Sequence, residues 1–390
     1  MKRQALEERP DWRKRVVAKG MLYYADGNVP YWRDDAIYTF TAAQIDEIEA
    51  ATNAIQDMYL KAVEHVLTNG RLRELGIPER MIPLILKSWD EEHPAIYDRF
   101  DLCYDGKHPP KLLENNADTP TSLLEAAVIQ WFAIKDRFGE DADQFNSLHE
   151  RLVAKWAELK DGRHLKQGPP GLLGGTETAP VYFAFDGTLL EDRMTILYLM
   201  ETAMQAKLKT VELGMSDIGW HAGKKCFVDL KEEPIRNIFK LYPWEYLAED
   251  AFAAHLEESQ NDMFWMEPAW NMVLSCKGLL AILWELFPNH PNLLPAYLGH
   301  PHGLGQYAKK PFYSREGQGI TLVRDGASAR NPVGEPNFVY QALCELPSFE
   351  GHHPVIGSWL IDGVAAGMGI RESDGLITDN MAHFVPHLIT

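Results

Sequence analysis

The chain has 390 residues, 46% hydrophobic and 24% charged, with 38 Lys and Arg against 56 Asp and Glu and a formal net charge of −18. This composition supports one large unit or two domains with a real core and excludes a chain disordered by composition. The acidic balance argues against a non-specific nucleic-acid binder, leaves room for a nucleotide site built on a few local cations, and suits a cationic substrate.

In chain order, short strands are expected at 21–24 and 36–40. A helix follows. Thr41 and Gln44 form a capping box, and Ile45, Ile48, Ile55, Met58, Ala62, Val63 and Val66 trace one apolar face. Helical patterns also run from about 122 to 131 and from about 143 to 159. Residues 161–179, rich in Gly and Pro without periodicity, read as a linker. Strand 181–185, helix 190–206 and strand 209–213 then suggest a βαβ unit with parallel strands. The last third mixes a helix around 277–287 with short strands and Gly turns. That mixture suggests an α+β nucleotide-binding module rather than a repeated β/α barrel.

Cys103, Cys226, Cys276 and Cys344 are scattered and form no C-x-x-C pair, so neither a zinc ribbon nor a disulfide framework is expected. No apolar run is long enough to span a membrane, and residues 1–15 lack the apolar core of a signal peptide. A cytoplasmic setting is the default expectation.

Residues 96–121 carry the densest chemistry. The stretch 97–104 alternates like a strand, a turn-rich connection follows at 105–110, and 111–116 resumes as a second strand. Centring the loop on 105–110 sets Asp101 opposite Glu114 and Arg99 opposite Asn116, with all four on one face. Asp101, Glu114 and Asn116 would supply the oxygen ligands that Mg²⁺ takes, with Arg99 placed for a phosphate or a carboxylate. Cross-strand salt bridges on a solvated face would give the same pattern. Residues 308–323, AKKPFYSREGQGITLV, read as strand, Gly-bearing loop, strand. They would bring Lys310 and backbone N–H groups near a triphosphate, as would many ordinary hairpins. Lys277 leads a helix, which alone is commonplace. Arg371 and Glu372 precede a turn at Asp374-Gly375, which alone reads as an exposed hairpin. The histidines at 300, 302, 352 and 353 lack metal-ligand spacing, and Trp265 and Trp270 read as core.

Together these segments resemble the glutathionylspermidine synthase-like family, in its short acid–amine ligase branch. The strings that carry the resemblance are PKLLENNADTPTSLLEAAVIQW (110–131), FKLYPWEYL (239–247), EPAW (267–270), KPFYSREG (310–317), IGSWL (356–360) and GIRESDGLIT (369–378). It covers nearly the whole chain.

The resemblance implies an α/β (α+β) ATP-grasp fold with permuted motif order, joined to a smaller pre-ATP-grasp-like α/β domain. The implied division is 1–165 for the N-terminal part of the ATP-grasp module with the Mg-binding hairpin, 166–260 for the pre-ATP-grasp-like domain, and 261–390 for the ATP-binding subdomains. Mg²⁺ would be held by Asp101, Glu114 and Asn116, and ATP by Lys277, Lys310, Glu316 and Gly317. The hinge 341–344 (Gln341, Ala342, Leu343, Cys344) would meet adenine, and Leu376, Ile377 and Thr378 would also meet the nucleotide. Arg99 and Arg371 would be catalytic, Arg99 also meeting the acid. Thr119, Glu191 and Asp192 would contact the acid or amine. Cys276 stands where the resemblance leads one to expect Asn.

The implied reaction joins a glutathione-like or other peptide acid to a polyamine-type amine through an acyl phosphate. ATP and Mg²⁺ are the cofactors, and no nucleic-acid or membrane partner is expected. Two readings stay open beside it: a non-catalytic ATP-binding regulatory protein, and a ligase for another pair such as a peptide and an amino acid. Bifunctional members carry an amidase domain for which there is no room before the ligase motifs, so hydrolysis of the conjugate is not expected.

Overall fold

The computed structural model describes every residue except 28, 161–178 and 325–334. The linker expected at 161–179 therefore lies almost wholly outside the described residues.

The capping box is formed. Gln44 donates its backbone N–H to Thr41 Oγ1 at 3.3 Å, and Thr41 donates its own to Gln44 Oε1 at 3.1 Å. These bonds satisfy two of the amides that a helix start leaves without partners. The helix Ala42–Thr68 buries all seven apolar positions of the expected face, each contributing about 1.5–3 kcal/mol for a large side chain. It lies against a five-stranded antiparallel sheet, where Tyr59 stacks on Phe100 with ring centroids 5.3 Å apart. The strand order in that sheet is His383–Val385, Val364–Ser373, His353–Ile361, Tyr97–Cys103, Lys111–Asn116. The hairpin of 97–116 thus forms one side of a sheet completed by the C-terminal part of the chain.

Val181–Phe185, Leu190–Gln205 and Thr210–Gly214 form the expected βαβ unit, its strands parallel. Asn237–Leu241 and Phe264–Met266 extend it to four parallel strands, the last lying just past residue 260. Val181–Phe185 is buried throughout, which explains why its sequence, VYFAF, does not alternate. A third sheet is antiparallel and runs Ala296–Leu298, Phe338–Ala342, Tyr307–Pro311, Thr321–Val323. The helix Leu279–Leu286 packs against this sheet and against Ala42–Thr68.

Several elements differ from expectation. Residues 21–24 form no strand, because aromatic contacts hold them instead. Tyr24 meets Trp12 edge-on at 5.8 Å and Tyr23 leans on Tyr31 at 5.3 Å. The helix expected from 122 starts at 123, as expected, but passes through a π-helical turn, Glu125–Ile129, before the α-helix Gln130–Phe138. The helix expected from 143 begins at Leu148, since Asp143 and Asn146 bridge to Ile389 and Gly367. Arg371 and Glu372 lie on an interior strand rather than an exposed hairpin. Glu372 is fully buried, accepts two bonds at 2.8 Å from Arg3, and accepts a third at 2.8 Å from the Tyr38 hydroxyl. Among the described residues, no helix is long and apolar enough to cross a membrane.

Candidate active site

The paired hairpin sets the site. Arg99 faces Asn116 and Asp101 faces Glu114, as expected, but the ladder then slips by one residue, with Leu102 opposite Leu112. A bulge at Leu113 absorbs the slip. Without it, the longer connection would shift every pair and turn Glu114 away from Asp101. The bulge also leaves the Leu113 carbonyl free of the ladder. It accepts a 2.9 Å bond from Lys310 Nζ, which bonds Gln341 Oε1 at 2.8 Å as well. The other end of the Gln341 amide donates to Leu112 O at 3.0 Å. Gln341, expected in the stretch that meets adenine, thus clamps a lysine to the hairpin with its side chain.

Strand alternation directs Arg99 and Asp101 away from the long helix, toward a cavity of about 590 Å³. Every site residue proposed from the sequence lines this cavity: Arg99, Asp101, Glu114, Asn116, Thr119, Glu191, Asp192, Lys277, Lys310, Glu316, Gly317, 341–344, Arg371 and 376–378. The five-stranded sheet supplies one wall and the third sheet the opposite one. Leu190–Gln205 brings its first turn to one end.

Arg99 is buried. Its Nε donates to Asp101 Oδ1 at 2.8 Å and its Nη1 to Thr121 O at 2.8 Å, and its guanidinium lies 5.4 Å from the Trp359 ring centroid. A Cβ on Gly357 would sit 2.7 Å from Arg99 Cδ, so glycine at 357 makes room for this side chain. Arg371 reaches the other Asp101 oxygen at 3.3 Å, and Lys277 approaches Glu114 at 3.3 Å while donating to Ser314 O at 2.7 Å. Cys276, standing in place of the expected Asn, is buried with its thiol on Leu75 O. In the stretch 341–344, expected to meet adenine, the backbone N–H groups of Ala342 and Leu343 are already donated, to Pro295 O and Gln306 O. Hydrogen bonds from a ligand at these two residues therefore fall to carbonyls.

Charge is divided along the cavity. Burial lowers Lys310 to about 8 despite the nearby Glu114. Burial works to raise Asp101, but Arg99 and Arg371 outweigh it and hold the carboxyl below its usual range. At the far end burial dominates. It raises Asp192 to about 7, with Glu191 and Asp186 adding repulsion, and it raises Glu191 as well. Glu125, which sequence reasoning missed, stands behind these two on the π-helical turn. Its Oε1 has no partner among the described residues, and burial and Glu191 raise it to about 8. A charged residue inside an apolar helix start is the signal that marks it.

On the opposite face of the same strand, Asp98 is buried beside Asn115, its Oδ2 without a partner among the described residues, and burial raises it to about 7. Its native pKa lies above its unfolded value, so the folded chain holds the extra proton and stability falls as pH rises from about 4 to 7. Asp98→Asn is expected to stabilise the protein by about 2–3 kcal/mol more at pH 8 than at pH 5. Urea unfolding at the two pH values reads the difference, and equal effects would mean that Asp98 is ionised at both.

Among the described residues, no three His, Cys, Asp or Glu side chains converge on a metal position. The candidate oxygen set is two carboxylates and an amide, Asp101, Glu114 and Asn116. The Asn116 amide can offer an oxygen for that use, since Asn116 faces Arg99 across the hairpin and lines the same cavity as Asp101 and Glu114. The carboxylates fit too, their charge being balanced here by Arg99, Arg371 and Lys277.

The α/β scaffold thus gathers cations and carboxylates around one cavity, the arrangement expected of a ligand-binding site. The fold matches a glutathione synthetase-like effector of Globodera pallida with a TM-score of 0.59 at 9% identity, over 99% of this chain and all of that one. The profile of the family described as glutathionylspermidine synthase preATP-grasp matches residues 3–390, and the chain belongs to that family. A Haemophilus influenzae protein named as a candidate acid–amine ligase is 39% identical over 97% of each chain. Trypanothione synthetase of Crithidia fasciculata is 28% identical over 83% of this chain, and the bifunctional glutathionylspermidine synthetase/amidase of Escherichia coli 25% over 90%. The chain spans only 52% and 59% of those two proteins' lengths. By name, these relatives are carbon–nitrogen ligases.

Proposed function

We propose that the protein is an ATP-dependent carboxylate–amine ligase that forms an amide through an acyl phosphate. The cavity that brings Arg99, Arg371, Lys277 and Lys310 together with the Asp101–Glu114 hairpin carries the reading. We read the fold as ATP-grasp with the metal-binding hairpin preceding the lysines, built from 1–165 and 261–390, with 166–260 as the pre-ATP-grasp-like domain.

Lys277 and Lys310 hold the phosphates, and the carbonyls of 341–344 receive the adenine amino group. Held by Asp101, Glu114 and Asn116, Mg²⁺ would neutralise phosphate charge. Arg99 orients the incoming carboxylate and, with Arg371, offsets charge on the transferring phosphoryl group. Thr119 lies on the path of the acid. Glu191 and Asp192 attract the amine cation, and Asp192, with its raised pKa, suits removal of the proton the amine must lose. No side chain acts as a nucleophile, so positioning and charge provide the catalysis. The acid is read as glutathione-like or another peptide acid, and the amine as a polyamine type. A cytoplasmic location fits these substrates.

The loop over the phosphates is sterically tight. Gly317 has φ of +70°, and a Cβ there would collide with Ile377 Cγ2. The left-handed conformation costs a residue with a side chain about 1–2 kcal/mol. Gly317→Ala is therefore expected to raise KM for ATP about tenfold while the far-ultraviolet spectrum stays unchanged. An unchanged KM would remove the loop from the nucleotide site.

The function is tested by ADP release in the presence of Mg-ATP across a grid of acids and amines, with glutathione, γ-glutamyl peptides, spermidine, putrescine and amino acids. Release that needs one acid and one amine supports the ligase. Tight ATP binding without release for any pair supports a regulatory protein.

A further inference from the structure

The proposed chemistry uses no thiol, yet two thiols meet at the cavity wall. Cys103 ends the strand Tyr97–Cys103, and Cys344 follows the strand Phe338–Ala342. Far apart in sequence, they are brought to one place, where Cys103 Sγ lies 3.5 Å from the carbonyl oxygen of Glu345, the residue after Cys344. Cys344 is partly exposed and lines the cavity, whereas Cys103, Cys226 and Cys276 are buried. One thiol is open to a small oxidant, and its partner waits behind it.

We infer that Cys103 and Cys344 form an oxidation site, in which Cys344 reacts with a hydroperoxide and Cys103 resolves the product as a disulfide. Cys344 sulfur attacks the peroxide, so an S–O bond forms, the O–O bond breaks, and the alcohol leaves with the thiol proton. Cys103 sulfur then attacks Cys344 sulfur. The S–S bond forms, the S–O bond breaks, and water departs with the Cys103 proton. Two thiols are oxidised and one hydroperoxide is reduced to an alcohol and water. The surroundings favour the first step. The neighbouring Cys103 thiol lowers the Cys344 pKa against the effect of burial, and the ammonium groups of Lys111 and Lys310 lower it further. The product bond ties the hairpin wall to the hinge wall and removes the cavity's freedom to adjust at the hinge.

The cross-link rests on this geometry alone. Its sensitivity to ATP rests on the reading of 341–344 as the adenine hinge. The full chain is treated with tert-butyl hydroperoxide, with and without Mg-ATP, then alkylated and mapped by mass spectrometry without reduction. The expected product is one peptide pair joined through Cys103 and Cys344, two hydrogens lighter than the reduced pair, with Cys226 and Cys276 still free. In Cys103→Ser the first step persists, and Cys344 is trapped by dimedone as the sulfenic acid. Both thiols remaining reduced would overturn the inference. So would sulfinic acid accumulating at Cys344 as readily in the wild type as in Cys103→Ser. ATP at ten times its Kd is expected to slow cross-linking about tenfold. A cross-link that forms equally fast with ATP leaves the oxidation site standing and removes adenine from the hinge.

Discussion

Replacing Glu114 by glutamine is expected to lower kcat about 10³-fold, the scale set by losing one preorganised charge at a phosphoryl-transfer centre. The change keeps size and shape and removes one negative charge. Glu114 pairs across the hairpin with Asp101 and sits 3.3 Å from Lys277 Nζ. Its carboxylate therefore serves as a proposed Mg²⁺ ligand and as the counter-charge for a lysine proposed to hold phosphate. Glutamine offers only one weak oxygen donor. The side chain is partly exposed, so the stability lost should stay near that of an open ion pair, about 0–1 kcal/mol. The loss of activity is then separable from unfolding, and a raised Mg²⁺ requirement should accompany it. A variant with near-normal turnover and unchanged Mg²⁺ dependence would sink the metal assignment.

Asp118→Ala is expected to cost about 3–5 kcal/mol of stability, the usual result of stranding a buried charge. Asp118 Oδ1 takes a 2.5 Å bond from Lys240 Nζ, and the side chains are 3% and 0% exposed. Asp118 Oδ2 accepts the backbone N–H of Trp244 at 2.7 Å, and the Lys240 ammonium lies 4.5 Å from the Trp244 ring centroid. Burial already lowers the Lys240 pKa, and Asp118 is the largest opposing influence. Without Asp118 the lysine must lose its proton or draw water into the core. The pair also ties the loop after the hairpin of 97–116 to the parallel sheet. That loop carries Thr119, and Thr121, whose carbonyl holds Arg99. Activity should therefore fall together with stability. The double replacement Asp118→Asn with Lys240→Met removes both charges and is expected to recover most of the loss in a urea titration. An Asp118→Ala midpoint within experimental error of the wild type would contradict this account.

Local signals read well from the sequence. The capping box at Thr41 and Gln44, the apolar face above it and the strand–helix–strand of 181–214 each depend on residues a few positions apart, where periodicity and capping carry most of the information. The facing of Asp101 and Glu114 also emerged, although its assumed loop length was short by one residue. The Leu113 bulge corrected the register, and no pattern in 105–113 announces a bulge. What stayed hidden depends on distant partners. The Gln341 amide clamps Lys310 against a hairpin some 230 positions away. Asp118 finds Lys240 across two elements, and Glu372 is buried only because Arg3 and Tyr38 meet it. Segment 21–24 and the local environment of Arg371 and Glu372 escape sequence reading for the same reason, since aromatic packing and neighbouring strands decide them, whereas the turn at 374–375 is where the sequence places it. The gathering of the candidate residues around one cavity was legible through the family resemblance rather than through spacing.

The most direct test of acyl-phosphate ligation follows oxygen. Once the productive pair is known, the acid is prepared with ¹⁸O in its carboxylate, and the phosphate released in single turnovers is analysed by mass spectrometry. Transfer through an acyl phosphate predicts one ¹⁸O atom in each phosphate and a product equal in mass to acid plus amine minus water. Unlabelled phosphate alongside the amide, or AMP and pyrophosphate in place of ADP and phosphate, would contradict the account at its centre.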